Sequence, residues 1–503
     1  MPIGRFSRTP GGRSRSATAR RASSSSGSPA ARMMRRPGSP RPTRPRSTTS
    51  KTESTSRPPG NEPVGPGGRG ADGRLPGVTM SAMDEIRKEI FANGLVLITE
   101  PMRNLRSVAL GVWMKRGSRH ETPQQNGISH FIEHLLFKGT ETRSAQDIAL
   151  IVDSVGGQMD AFTTKEYTCF YFKVLDEHLD IAVDLLSDIV RHPKFIPEEV
   201  EKERKVIYEE IKMVDDTPDE LVYDIFSESF WRNHPLGRPI QGTRRSVSRM
   251  HLPMLIKYFR DSYQPANLMI TAAGNLEHQR LADAIRKAFE PIPNTSSPVP
   301  IKPPRTSGTV VVREKKELGQ LHLCLGVPCF GAPPERRYRE YVLNTLLGGT
   351  MSSRLFQHIR EERGLAYSVF SSVNSFLDSG NLMVYAATSP ESGKEVVELI
   401  LQEFRRLKEG PVGQSELQMA RDHLKGSLML SLESSSSRMS NLARQEFYYG
   451  RQFTVNEILA GIDAVSSDDL LRLSREIFDP STCTLAVLGQ TSGRGLEKVE
   501  LTF

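Results

Sequence analysis

An α+β fold of two homologous domains, each an antiparallel-rich sheet packed against helices, is predicted by three features of this 503-residue sequence. Strand-like and helix-like periodicities follow one another in a similar order twice. A Pro-rich stretch over residues 291–308 separates the two runs, and such a segment continues neither a strand nor a helix. Ahead of both, residues 1–82 are rich in Arg, Ser, Pro and Gly, with too few large apolar residues to bury a core. The expected organisation is a disordered tail over 1–82, a domain over 83–290, a linker over 291–308 and a second domain over 309–503.

In chain order, Lys88 to Thr99 and Ser107 to Lys115 carry strand patterns. A helix follows within residues 127–139, Gly-Ile-Ser-His-Phe-Ile-Glu-His-Leu-Leu-Phe-Lys-Gly, and another near Ala145 to Val155. Gly156-Gly157 signals a turn, and Met159 to Lys173, rich in Phe, Tyr and Thr, predicts two short strands around Lys165-Glu166. Residues 197–214 form a helix with Pro197 in its first turn and acids near its start, and long helices continue to Tyr258. Leu268 to Ala273 is a strand and His278 to Phe289 a helix. The second run begins with strands at Thr309 to Val312 and Leu321 to Val327 and a helix near Tyr338 to Leu347. Strands then extend to Ala387, long helices run from Gly393 to Tyr449, and a last strand spans Thr482 to Leu488.

Charge is unevenly placed. The chain carries +8, but residues 1–80 hold 16 of its 67 Lys and Arg and only 3 of its 59 acids, so the two folded runs are net acidic. The basic tail admits three readings: an organellar transit peptide, opposed by its Pro and Gly; a nucleic-acid arm, opposed by the lack of aromatics after Phe6; and an extension upstream of a start at Met80 or Met83. The third is favoured, and no nucleic-acid partner is expected. No apolar run reaches the 18 residues or so that span a membrane. Cys169, Cys324, Cys329 and Cys483 form no C-x-x-C pair and no dense framework, so neither a zinc ribbon nor disulfide stapling is indicated. Cys324 and Cys329 sit in or beside a strand pattern, as core residues do. A reducing compartment follows, expected to be the cytoplasm, with the mitochondrial matrix as the alternative.

The most informative stretch is His130-Phe-Ile-Glu-His134, because two histidines four apart on a helix, with a carboxylate between them, can hold a zinc ion and a base beside its water. Chance could supply such a pentapeptide in a chain of 11 histidines, so context matters. Ile128, Phe131, Ile132, Leu135 and Leu136 make one apolar stripe, with His130, Glu133 and His134 opposite. A solvated polar face and a site both fit that wheel. A third protein ligand is needed for catalytic zinc. On the helix from Pro197, the apolar face of Val200, Val206, Ile207, Ile211 and Met213 also takes in Glu203 and Glu210, while Glu209 points away. Buried carboxylates need a metal, donors or an internal cation.

These motifs resemble the inverzincin (insulinase, or pitrilysin-like, M16) metallopeptidases. Besides H-x-x-E-H and Glu210, 76 positions after His134, the resemblance rests on residues 156–168, 234–242 and 353–368 and runs from about Lys88 to about Gln490. It implies that His130, His134 and Glu210 bind one zinc per chain, that Glu133 is the general base of peptide hydrolysis, and that Glu203 supports the site from behind. It implies an extended substrate added to a sheet edge at Asp160-Ala161, where the family usually has Asn-Ala; an aspartate cannot donate the amide hydrogen bond. Arg360 and Tyr367 match a pair brought towards the substrate, with Tyr367 as oxyanion donor. By residue type alone, Arg360 could instead be a solvated charge and Tyr367 a core residue. Glu220 and Asp224 match acids used for a substrate arginine, or they form a solvated helix face.

Two such units resemble the short subgroup, including the catalytic subunit of the mitochondrial processing peptidase and its bacterial relatives, which pair as heterodimers or homodimers. Residues 341–349 fall where the metal motif would lie in the second unit, and residues 346–351 replace the long Gly-rich loop of non-catalytic chains. The expected function is a zinc-dependent endopeptidase acting on short or unfolded peptides; the alternative is a non-catalytic structural or regulatory subunit of the same fold.

Overall fold

β-branched and aromatic residues of the first run pair as six strands: β1 (Arg87–Ile90), β2 (Val96–Pro101), β3 (Ser107–Met114), β4 (Gln158–Thr163), β5 (Thr168–Leu175) and β6 (Leu268–Gly274). In this computed structural model, which describes residues 86–290, 292–294, 300–332 and 336–503, they form one sheet in the order β1-β2-β6-β3-β5-β4. The tail expected over 1–82, the candidate starts at Met80 and Met83, and residues 291 and 295–299 of the linker lie outside the described residues. A second sheet has the order β7-β11-β8-β10-β9, from β7 (Thr309–Glu314), β8 (Leu321–Cys329), β9 (Ala366–Ser375), β10 (Gly380–Thr388) and β11 (Thr484–Gly489).

The sheets share one topology. In each, a first strand lies parallel to the last, β2 with β6 and β7 with β11, and the remaining neighbours are antiparallel. Only β1 has no counterpart. The first run contributes helices α1 (Ile128–Leu136), α2 (Ala145–Ser154), α3 (Leu179–Arg191), α4 (Pro197–Asp216), α5 (Pro218–Phe230), α6 (Arg244–Val247), α7 (Leu252–Ser262) and α8 (His278–Phe289). The second contributes α9 (Arg337–Asn344), α10 (Gly393–Glu409), α11 (Gln414–Ser431), α12 (Ser435–Tyr449), α13 (Val455–Asp463) and α14 (Ser467–Ile477). The fold class is therefore α+β with two repeats, as the periodicities indicate.

One face of each sheet packs on helices of its own run, forming the two large cores. The other face is covered by a helix from the opposite run. In α5, Val222, Phe226 and Phe230 pack against Cys324, Met383 and Leu488 of the second sheet. In α12, Met439, Leu442 and Ala443 pack against Ile98, Trp113 and Met269 of the first. Equivalent strands accommodate these helices with glycine: a Cβ on Gly111 of β3 would lie 2.5 Å from Met439 Sδ, and one on Gly326 of β8 would lie 2.6 Å from the Phe226 ring. Neither sheet completes its burial without the other run.

The sequence expectations need three corrections. Lys88 to Thr99 is not one strand but two, because the turn at Asn93-Gly94, with Gly94 at φ +87°, folds β1 back on β2. Val206 and Met213 are exposed, not core, because the buried side of α4 is centred on Val200, Glu203 and Ile207 and these two lie roughly 90–115° to one side of it. The helices α13 and α14 go unrecognised in the sequence reading, although Thr454 with Glu457 and Ser466 with Asp469 form capping boxes at their starts.

A buried ion cluster joins the two runs. Arg119 donates to Glu166 Oε1 at 2.6 Å, to both Asp378 oxygens at 2.5 and 2.7 Å, and to the Lys302 carbonyl at 3.1 Å. Glu166 lies in the β4–β5 turn and Asp378 in the β9–β10 turn, and the Leu377 N–H donates to Glu166 at 3.2 Å. The turns of the two edge hairpins are thus tied through one guanidinium.

Candidate active site

Helix α1 starts at Gly127, whose φ of +97° brings its Cα so close to the Gln241 carbonyl that a Cβ would meet it at 2.6 Å. Ile128, Phe131, Ile132, Leu135 and Leu136 are buried along one side, as the wheel predicts, which turns His130, Glu133 and His134 towards α4 and β4. On α4 Glu203 is 5 % exposed and Glu210 half-buried, whereas Glu209 faces solvent and pairs with Lys212.

Three of the expected residues converge. His130 Nε2 and His134 Nε2 lie 3.7 and 3.5 Å from Glu210 Oε2, and the donor atoms of all three fall within 4.8 Å of one another. Hydrogen bonds are shorter than this. Donors held at 2.0–2.2 Å around a tetrahedral zinc, by contrast, stand about 3.4 Å apart. Among the described residues, this is the one group of three or more His, Cys, Asp or Glu that could hold a metal ion. Two imidazoles and one carboxylate are also a donor set suited to zinc with a fourth position left open.

Electrostatics prepares these donors. Burial pushes His130 down to about 3, so its ring is neutral with a lone pair available, and its buried Nδ1 has no hydrogen-bond partner among the described residues. For His134 burial acts downward, but the hydrogen bond to Glu203 and the charges of Glu210 and Glu133 outweigh it and raise the pKa. Its Nδ1 sits 3.1 Å from Glu203 Oε2, while Lys138 Nζ holds Glu203 Oε1 at 2.8 Å. An Nδ1–H donated to Glu203 leaves Nε2 aimed at Glu210 with its lone pair, the arrangement by which an outer carboxylate fixes a ligand's tautomer. Burial raises Glu203 too, yet His134 and Lys138 overcome it and hold it below the usual carboxylate range. Burial raises Glu210, with His134 opposing.

Glu133 shares the helix face. Burial pushes its carboxyl up to about 7, against the hydrogen bond from Thr163 and with Glu210 and Asp160 adding repulsion. Thr163 Oγ1 donates to Glu133 Oε2 at 2.5 Å. Thr163 ends β4, the edge strand of the first sheet, so the exposed backbone edge runs beside the carboxylate. Sequence reasoning names the strand but misses Thr163; its signal is the period of two that puts it on the same strand face as Ala161.

On that strand Asp160 accepts the Ala161 N–H at 2.7 Å, and burial raises its carboxyl against this bond. Thr164 N–H bonds inward to the Tyr167 carbonyl, so by alternation the Ala161 N–H faces the free edge, where the aspartate occupies it. Glu220 and Asp224 are half-buried on α5, and burial raises both. Lys165 tempers Asp224; burial lowers its ammonium to about 8 against the pull of Asp224 and Glu121, and it donates to the Arg238 carbonyl. Tyr367 on β9 is 79 % exposed, which removes the core-packing reading. The Arg360 guanidinium stacks 5.1 Å over the Tyr367 ring and 4.7 Å over Phe356, and its charge lies 3.8 Å from Glu361. This pair is assembled with itself; the hydrogen bonds and ion pairs described here do not link it to the His130 cluster.

Comparison with known proteins bears on this geometry. The family model for the insulinases, peptidase family M16, matches residues 96–244, and that for the M16 inactive domain matches residues 250–424. The uncharacterized zinc protease YmxG of Bacillus subtilis is 43 % identical over 393 residues, covering 78 % of this chain and 96 % of that protein. The uncharacterized zinc protease SCO5738 of Streptomyces coelicolor is 38 % identical and covers 80 % and 89 %. Among solved structures, a protease from Helicobacter pylori superposes with a TM-score of 0.77 at 24 % identity, covering 81 % of this chain and all of that one. An M16 inactive domain structure from Pseudomonas fluorescens gives 0.75 at 18 %, covering 81 % and 98 %. At those identities the structures speak for the fold alone.

Proposed function

The chain belongs to the insulinase family of peptidases, family M16, and we propose that it is a zinc-dependent endopeptidase, similar to a processing peptidase, that hydrolyses short or unfolded polypeptides. The observation that carries this reading is the spacing of 3.5 and 3.7 Å between one Glu210 oxygen and two imidazole nitrogens, too long for hydrogen bonds and right for donors sharing one ion. His130 and His134, through Nε2, and Glu210, through its carboxylate, would hold the zinc, one per chain.

Bound there, zinc would supply a Lewis acid for the scissile carbonyl and lower the pKa of water beside it. Glu133 is the base: its carboxylate takes the water's proton and returns it to the leaving amine. Thr163, donating to one Glu133 oxygen, leaves the other to face the water. Glu203 orients His134 through Nδ1. The edge of β4 aligns an extended substrate by backbone hydrogen bonds, with Asp160 and Ala161 at the contact, which supports little dependence on sequence. The oxyanion donor in this reading is Tyr367 of β9, with Arg360, stacked on its ring from the helical turn before that strand, as its companion. Glu220 and Asp224 favour an upstream arginine, weakly, since Lys165 already shares the charge of Asp224. The reading includes pairing with a second copy or a related chain, in the cytoplasm or the mitochondrial matrix; no helix among the described residues is long and apolar enough to cross a membrane.

Incubating the purified full-length protein with a peptide library, with and without a zinc chelator, tests this directly. Cleavage is expected to cease with chelator and return with added zinc, with a modest excess of products carrying an upstream Arg. Stoichiometric zinc without cleavage would favour the structural or regulatory subunit instead. The mass of the native particle reads the pairing.

A further inference from the structure

Beneath the N-terminus of α1 lies a buried polar network that the proposed chemistry leaves unused. Glu121, in the loop before the helix, is 3 % exposed. Its carboxylate accepts the backbone N–H of Gly127 at 2.7 Å and of Ser129 at 2.9 Å, and the Asn126 amide approaches at 3.4 Å. Asn126 in turn donates to the Pro239 carbonyl at 2.9 Å, and Arg238 donates to the Glu121 carbonyl at 3.2 Å. Ser129 Oγ lies 2.9 Å from the Tyr258 hydroxyl of α7.

These contacts answer a specific need. The first N–H groups of a helix have no partner inside it, and α1 begins with a glycine that has no side chain to cap them. A carboxylate reaching back from six and eight positions upstream does so instead, and a negative charge there also suits the helix dipole. Burial pushes the Glu121 carboxyl up to about 7, opposed by these same donors. His130 follows Ser129 directly, and Glu133 and His134 lie one turn on. A helix of 9 residues that supplies two of the three donors and the base moves them as a body, so a tilt at its start shifts both imidazoles relative to Glu210 on α4.

We propose that Glu121 is a positioning residue for the metal centre, a remote carboxylate cap that sets the placement of α1 so that His130 and His134 meet Glu210. This rests on the zinc reading of the site, but part of its test needs no metal. In metal-free full-length protein, Glu121→Gln is expected to lower hydrogen-exchange protection of amides 129–134 at least about tenfold while protection in the second sheet is unchanged. In the zinc-loaded protein, chelator competition is expected to show about 10- to 100-fold weaker zinc binding, the usual scale for losing a partner behind the ligands. The visible spectrum of the cobalt-substituted protein should shift, and kcat should fall with KM within about twofold. Glu121→Asp, which keeps the charge on a shorter arm, should fall between and serves if the glutamine variant does not fold. Unchanged protection of α1 with unchanged zinc affinity would overturn the proposal, as would a uniform loss of protection across the molecule. A wild-type protein that binds no zinc would sink the peptidase reading, while the exchange data would still judge Glu121.

Discussion

Glu133→Gln is expected to lower kcat/KM for peptide hydrolysis by about 10²–10⁴-fold while the protein keeps one zinc, because this change removes a proton acceptor and no ligand. The amide can still accept from Thr163, which now donates to Glu133 Oε2 at 2.5 Å, so the helix should stay where it is. Steady-state kinetics beside metal analysis separates the two effects. Loss of zinc together with activity would make Glu133 part of the metal grip, and retained activity would move the base elsewhere.

Arg119→Ala is expected to be the most destabilising single change in the scaffold, at roughly 3–5 kcal/mol, because it strips the cation from a buried acid. Arg119 and Glu166 side chains are both 1 % exposed, and without the guanidinium Glu166 is left with uncharged donors, the Leu377 N–H at 3.2 Å and the Tyr448 hydroxyl. A surface pair such as Arg280–Asp180, each 63 % exposed, should cost less than about 1 kcal/mol when broken. Urea unfolding of Arg119→Ala, of Arg119→Ala with Glu166→Gln, and of Arg280→Ala reads this. The double variant should recover part of the loss, since the stranded charge is gone; equal midpoints for Arg119→Ala and Arg280→Ala would refute the account.

What the sequence reveals follows range. The stripe of α1, the inward turn of Glu203 and Glu210 on α4, and the hairpin around Lys165-Glu166 all depend on side-chain period within one element, and each is found in the structure. The duplication is legible for the same reason: the order of periods repeats, and the two sheets share a topology. Amphipathicity fails where it must name a partner. The apolar faces of α5 and α12 announce burial, but nothing local says that each covers the other run's sheet. The flank of α4 shows the converse error, since Val206 and Met213 count as apolar on a wheel although both stay exposed.

Polar contacts across loops are harder still. Glu121 caps α1 from upstream of a turn, and Arg119 meets Asp378 across 259 positions, distances at which one sequence carries no pairing signal. Thr163 lies within reach of period-two reasoning, yet only the fold brings its hydroxyl to Glu133. Residue type alone leaves Tyr367 open between core and surface, and in the structure its exposure goes with a β-bulge that leaves it unpaired between the Ala366–Thr388 and Ser368–Ala387 pairs. The departure at Asp160 was visible as a residue, but its occupation of the Ala161 N–H was not.

In the proposed peptidase, one ion joins imidazoles of α1 to a carboxylate of α4. Diffraction from crystals of the zinc-loaded protein, recorded on both sides of the zinc absorption edge, examines it atom by atom. A single anomalous peak per chain is expected, about 2.0–2.2 Å from His130 Nε2, His134 Nε2 and a Glu210 oxygen. A peak bound elsewhere, or none between these three side chains, would contradict it.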